Sequence, residues 1–302
     1  MFKKVFSLLI LLIFSVLSSV FSQEIIYPKW VEETYEEMNQ EEKIGQLFMV
    51  AAYSNKDEQH TKNLSLLIEN YHIGGLIFFQ GGPGSEINMT NQLQAKSKIP
   101  LWIGMDAEWG LGMRLDSTMN FPKQMTLGAI QNNDYIYRMG AEIARQAKLI
   151  GVHVNFAPVV DVNNNIKNPV IGYRSFGEDK ENVAQKGVAY MKGMQDNGLL
   201  ANAKHFPGHG DTDSDSHTTL PVINHSKERL DEIELYPFKK LIENNVNSMM
   251  VAHLHIPAYD NTPNKATTLS ENVVTDLLKE ELGFNGLIFT DALNMKGVSD
   301  FY

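Results

Sequence analysis

The chain has 302 residues, 43% of them hydrophobic and 21% charged, with no cysteine. That composition excludes a disordered chain, disulfide staples, thiolate metal ligands and a thiol nucleophile. The formal charge of −10 excludes nucleic acid and anionic membrane surfaces as partners, because nothing offsets the repulsion between an acidic chain and phosphate.

In chain order, Lys3 and Lys4 precede an apolar run from Val5 to Leu17, and Val20-Phe21-Ser22 places a small residue at a cut site. Residues 1–22 therefore read as a cleaved export signal. An uncleaved anchor is the competing reading, since 5–20 is nearly long enough to span a bilayer; Ser15, Ser18 and Ser19 weaken its apolar end. Losing the leader removes two lysines and no acid, which leaves −12. Without a cysteine to carry lipid, the expectation is a soluble protein of residues 23–302, exported to a periplasmic or extracellular space, with no stable membrane insertion after cleavage.

Short, nearly unbroken apolar runs predict strands at 46–51, 75–79, 101–106, 153–162, 199–205, 248–255 and 287–292, as parallel strands buried on both faces require. Amphipathic stretches predict helices at 61–71, 133–150, 181–197, 226–244 and 270–281. Ser226 and Ser270 stand as N-caps, the second with Val273 and Leu277 at helical spacing behind it. Gly151, Gly198 and Gly283 stop three of the helices. The alternation, with no long linker, predicts one α/β domain, either a (β/α)8 TIM-type barrel or a doubly wound sheet. Asp106, Asp161, His205, His255 and Asp291 sit at the C-terminal ends of different strands. A barrel collects such residues into one ring, whereas an open sheet concentrates them at one switch point, so the barrel is favoured. Only ten residues follow the seventh strand. The expectation is a C-terminally truncated barrel of about seven strands, a fragment of a longer chain that expresses poorly or lacks activity alone.

The densest chemistry lies between Lys204 and His217, where three histidines, a lysine and three aspartates occupy fourteen residues directly after an apolar run. Strand-end loops of parallel α/β folds gather catalytic groups. Asp215 lies two residues from His217, and a carboxylate so placed can orient an imidazole for acid/base work near neutral pH. Lys204 and His205 end a strand, where they can donate to a polar ligand. Asp291 emerges at the end of the last strand; the alternative use is an N-cap for a following helix. His253 and His255 alternate on one strand and admit a metal-site reading with His205 and His209. Metal-dependent amidohydrolase barrels carry their His-x-His pair on the first strand, and this pair is on the sixth.

These residues resemble glycoside hydrolase family 3, and more narrowly its bacterial β-N-acetylglucosaminidase branch. The likeness is carried by the loop Lys204–His217 ending Asp215-Ser216-His217, by 156–162 (FAPVVDV), by 172–177 (GYRSFG) and by Phe289-Thr290-Asp291. It implies a retaining two-step glycosidase, with Asp291 as nucleophile, His217 as acid/base and Asp215 as its partner. The usual arrangement is a pair of carboxylates. The resemblance further implies that Asp106, Arg114, Arg174, Lys204 and His205 bind the sugar and its N-acetyl group. It implies no metal and no organic cofactor, and a carbohydrate partner: terminal β-linked N-acetylglucosamine in cell-wall or related glycans. Where the branch has Glu-Gly-Gly-Arg, this chain has Glu108-Trp109-Gly110-Leu111; the missing arginine alters contacts beyond the first sugar, and Trp109 offers a stacking face instead. In some exported relatives a β-lactamase-type domain follows the barrel. A phosphorylase of the same family and a non-catalytic glycan-binding fragment are the competing functions.

Overall fold

The computed structural model describes residues 27–301. The expected leader, 1–22, lies outside them. The chain divides into two compact units at Ile44/Gly45. The first holds helix α1 (Lys29–Glu37) and the start of α2 (Gln40–Gly45). A reciprocal cap starts α2: Asn39 N–H donates to Glu42 Oε2 at 2.8 Å, and Glu42 N–H donates to Asn39 Oδ1 at 3.0 Å.

The second unit carries seven parallel strands in sequential order. They are β1 (Met49–Tyr53), β2 (Gly75–Gln80), β3 (Trp102–Met105), β4 (Val154–Asn155), β5 (Leu200–Phe206), β6 (Ser248–Val251) and β7 (Leu287–Thr290). Between them run α3 (Glu58–Tyr71), α4 (Pro83–Gln94), α5 (Gln124–Gly128), α6 (Asp134–Leu149), α7 (Lys180–Gln195), α8 (Lys227–Glu232), α9 (Leu235–Glu243) and a π-helical segment, Asn272–Glu281. A last turn of helix, α10 (Lys296–Ser299), follows β7. The seven strands that the apolar runs predicted form a curled, all-parallel half-barrel, the barrel that the polar strand ends favoured over a doubly wound sheet. Its curl is visible in the interior, where Phe156 after β4 and Phe289 of β7 meet edge to face with centroids 5.1 Å apart, although two strands lie between β4 and β7. Among the described residues, β1 and β7 do not pair with each other.

The main core lies between sheet and helices, with Leu64, Ile68, Phe78, Ile103, Ile143, Phe206 and Leu241 all buried. Helices α6 and α7 approach closely because both carry glycine at the crossing. A Cβ on Gly140 would stand 2.5 Å from the Tyr190 carbonyl oxygen, and one on Gly193 would stand 2.1 Å from that of Tyr137.

Three local expectations are corrected. The strand predicted over 153–162 keeps regular pairing only at Val154–Asn155, because Pro158 has no N–H to donate to a ladder. The chain rejoins β5 beyond it, Val160 N–H donating to the Lys204 carbonyl at 2.8 Å. The helix predicted over 226–244 is two helices. Pro237 cannot sit in a helix interior, and it falls instead in the first turn of α9, where a missing N–H costs nothing. Ser226 caps α8 as expected, accepting from Arg229 N–H. Ser270 does not cap: its hydroxyl donates to Asp260 at 2.6 Å.

Candidate active site

The ends of β3 and β5 converge on a buried cluster of charge. Asp106, one residue past β3, accepts from Arg114 Nη2 at 2.5 Å and from Lys204 Nζ at 2.8 Å. Glu108, fully buried, accepts two bonds from Arg174, at 3.0 and 2.7 Å, and stands 2.9 Å from Lys204 Nζ. The fork of Arg174 matches the carboxylate geometry. Its Nη2 also reaches His205 Nε2 at 3.2 Å, while His205 Nδ1 meets Asp161 Oδ2 at 2.7 Å. A guanidinium only donates, so Nε2 accepts and Nδ1 carries the proton.

Asp106 and Glu108 are thus matched by Arg114, Arg174 and Lys204, and Asp161 by His205 and the His209 amide. Burial by itself pushes each of the carboxylates up. Lys204 and Arg114 pull Asp106 below the ordinary carboxylate range, and Lys204 and Arg174 do the same for Glu108. Hydrogen bonds from the His205 ring and the His209 amide lower Asp161. All three stay ionised at neutral pH, in a basin already filled with oriented donors and acceptors. Arg114 Nε is buried without a hydrogen-bond partner among the described residues, and its guanidinium stacks over Phe79 at 4.7 Å.

Beyond β5 the chain enters the His-rich loop. His209 is 1% exposed, its amide donating to Asp161 Oδ1 at 2.7 Å. Burial pushes its ring down to about 4. Farther along, Asp215 Oδ1 accepts both the amide of His217 at 2.9 Å and its ring Nδ1 at 2.7 Å. The pair is open to solvent, the His217 side chain 63% exposed, with Nε2 left for another partner. Burial raises Asp215, but the His217 amide and ring outweigh it and hold the carboxylate below its ordinary range.

Asp291 follows β7. Its N–H donates to the Val251 carbonyl at 2.9 Å, and its Oδ1 accepts the amide of Ala292 at 2.8 Å. The N-cap alternative is not realised, since α10 begins five residues later with Met295 at its cap position. His253 Nε2 donates to the Ala292 carbonyl at 3.0 Å and its Nδ1 meets Thr268 Oγ1 at 2.8 Å, whereas His255 Nδ1 meets the Lys265 carbonyl at 3.3 Å. These histidines serve separate polypeptide contacts. Among the described residues, no three His, Asp or Glu side chains converge as a metal site, and no helix is long and apolar enough to cross a membrane.

Of the residues singled out in the sequence, Asp106, Arg114, Arg174, Lys204 and His205 form one connected network, and Asp215 and His217 form a second. Asp291 bonds directly to neither. Glu108, Asp161 and His209 are the members left out of the sugar-binding and catalytic sets in the sequence, His209 entering only the metal-site reading and Asp161 only the ring of strand-end residues. The available signals were position alone: an acid two residues beyond Asp106, an aspartate ending a predicted strand, and a histidine inside the dense loop. At the rim, Lys123 Nζ lies over the Trp109 ring, 2.8 Å from its centroid and 5.4 Å from that of Tyr173.

Comparison with known proteins accords with this arrangement. The profile of the Glycosyl hydrolase family 3 N terminal domain matches residues 39–302. The β-hexosaminidase A of Pseudoalteromonas piscicida is 39% identical over 262 residues, 79% of this chain and 44% of its own. The solved family 3 β-N-acetylglucosaminidase of Paenibacillus sp. str. FPU-7 superposes with a TM-score of 0.82 at 38% identity, covering 88% of this chain and 51% of its own. A β-glucoside phosphorylase bound to 2FGlc superposes with a TM-score of 0.84 at 26% identity, covering 90% and 50%. The chain therefore spans about half the length of these relatives.

Proposed function

Because the chain belongs to glycosyl hydrolase family 3, we propose that it supplies the barrel, residues 23–302, of a retaining exo-glycosidase that removes terminal β-linked N-acetylglucosamine from cell-wall or related glycans. The relatives named β-hexosaminidase and β-N-acetylglucosaminidase support the substrate class. The observation that carries the chemistry is the Asp215–His217 pair at 2.7 Å. An anionic Asp215 accepts Nδ1–H and leaves Nε2 turned to solvent, as a proton shuttle requires.

In this reading the sugar settles on Asp106, Arg114, Arg174, Lys204 and His205. Asp291 attacks the anomeric carbon as the glycosidic C–O bond breaks, and His217 Nε2–H protonates the departing oxygen. Water then gives a proton to Nε2, bonds to the anomeric carbon and releases Asp291. With inorganic phosphate in place of water, the same steps yield a sugar 1-phosphate, a second reading that the phosphorylase neighbour favours.

The test is release of 4-nitrophenol from its N-acetyl-β-glucosaminide by the full-length enzyme. Asp291→Ala is expected to cut kcat/KM by ~10³-fold or more, about 4 kcal/mol. Unchanged turnover in that variant removes Asp291 from the mechanism, and binding of chitobiose without turnover in the parent enzyme points to a glycan-binding module. Rates with and without phosphate, and the product formed, separate hydrolysis from phosphorolysis. Export rests on Lys3-Lys4 and the apolar run behind them; a secreted form beginning at Gln23 is the expected product, and an intact N-terminus in the secreted protein contradicts it.

A further inference from the structure

The loop carrying the acid/base pair turns inward at one residue. Asp215 and the exposed His217 flank Ser216, which is only 2% exposed. Two contacts hold Ser216. Its hydroxyl meets His209 Nε2 at 3.2 Å, and its carbonyl accepts the amide of Gly297 at 3.1 Å. His209 is itself fixed from several sides. Its amide is on Asp161 at 2.7 Å, its carbonyl accepts from Asn168 Nδ2 at 2.7 Å, and its Nδ1 meets Thr212 Oγ1 at 2.8 Å. The Thr212 hydroxyl donates to the His209 carbonyl at 3.2 Å. Nδ1–H therefore donates to Thr212 Oγ1, and Nε2 is left to accept the Ser216 hydroxyl.

Gly297 belongs to the segment that follows Asp291. A Cβ there would stand 3.0 Å from the carbonyl oxygens of both Ser216 and Thr219, and 3.3 Å from His253 Cβ. The loop therefore rests closely on this segment, and a methyl there would make it give by a few tenths of an ångström. The ring of His253, in turn, bonds the Ala292 carbonyl next to Asp291. The acid/base loop and the turn bearing Asp291 thus share one scaffold.

We infer that Ser216 and His209 are positioning residues, which with Gly297 pin the middle of the Asp215-Ser216-His217 triplet and thereby aim the His217 imidazole at the glycosidic oxygen. The inference rests on the reading of His217 as the acid. An exposed loop without such a post opens locally at little cost, whereas proton transfer demands heavy atoms within hydrogen-bond reach. Fixing the one residue between the two functional side chains constrains both through the continuous backbone.

The test compares two N-acetyl-β-glucosaminides in the full-length enzyme: the 2,4-dinitrophenyl glycoside, whose leaving group departs without a proton, and an alkyl glycoside, whose leaving group needs one. In Ser216→Ala, kcat/KM for the alkyl substrate is expected to fall roughly tenfold, the value of about one hydrogen bond, and that for the dinitrophenyl substrate less than about twofold. Gly297→Ala, which pushes on the Ser216 carbonyl, is expected to show the same selectivity, and Ser216→Thr, which keeps the hydroxyl, to restore the alkyl rate. His217→Ala run alongside should show the selectivity in larger form, roughly 10²–10⁴-fold. Equal losses on both substrates, or none, in Ser216→Ala and Gly297→Ala while His217→Ala remains selective overturn the anchor alone. A His217→Ala variant without selectivity overturns the acid assignment, and the anchor falls with it.

Discussion

Two glutamates of this chain are equally hidden from solvent and meet opposite fates. Glu86, in the first turn of α4, and Glu108, beyond β3, are both 0% exposed. Glu108 is met by nitrogens of Arg174 and Lys204, which overcome its burial and hold it ionised. Among the described residues neither carboxylate oxygen of Glu86 has a hydrogen-bond partner, nor has Thr90 Oγ1 one turn on, and burial pushes Glu86 up to about 8. Burial sets the cost of a charge, and the partners decide whether it is met. The basin at the barrel mouth is a place where the fold brings cations from distant sequence to carboxylates already buried.

The sharpest way to break this comparison is to strip Glu108 of its charge. Glu108→Gln keeps the shape and leaves Arg174 and Lys204 short of a counter-charge. A loss of ~3–5 kcal/mol in unfolding free energy is expected by denaturant titration of the full-length chain. His217→Ala, on an exposed ring, is expected to change stability by no more than ~0.5 kcal/mol. Should the two variants prove equally stable, the basin is not a structural unit. Because the folded-state value of Glu108 is depressed, its contribution is complete above the ordinary glutamate range and is lost as pH falls through the lowered value. The deficit of Glu108→Gln should therefore shrink in acid.

The sequence shows one half of this contrast more readily than the other. The seven strands are legible because strands buried on both faces leave plain apolar runs, and the Asp215–His217 pair is legible because a single residue separates its members. The ladder over 153–162 is interrupted by the visible Pro158, yet only the paired strands show where the chain rejoins β5. Lys204 and Asp106 are 98 positions apart, and Arg174 and Glu108 are 66 apart; nothing local links them, and only the approach of β5 to β3, for the first pair, and of the segment after β4, for the second, does. Helix α4 is hidden for a different reason. Its sequence, PGSEINMTNQLQ, offers only Ile87, Met89 and Leu93 as large apolar residues, too few for a recognisable stripe. With that helix unread, the burial of Glu86 was unreadable too.

Glu86 gives the smaller but opposite test. Its folded-state value lies above that of an unfolded glutamate, so the stability it allows is complete below the ordinary range and is lost as pH rises through about 8. Glu86→Gln cannot ionise and escapes that loss. Relative to the parent chain, the variant is expected to gain roughly 2–4 kcal/mol between pH 5 and pH 8, from the displaced titration of one carboxyl. Taking the difference between variant and parent cancels titrations the two share, including that of the buried His209. A difference independent of pH would mean that Glu86 ionises with a counter-charge after all, and its pairing with Glu108 as opposites would dissolve. If the two differences instead run in opposite directions along the pH axis, the charge state of each buried carboxylate is set by its partners rather than by its depth.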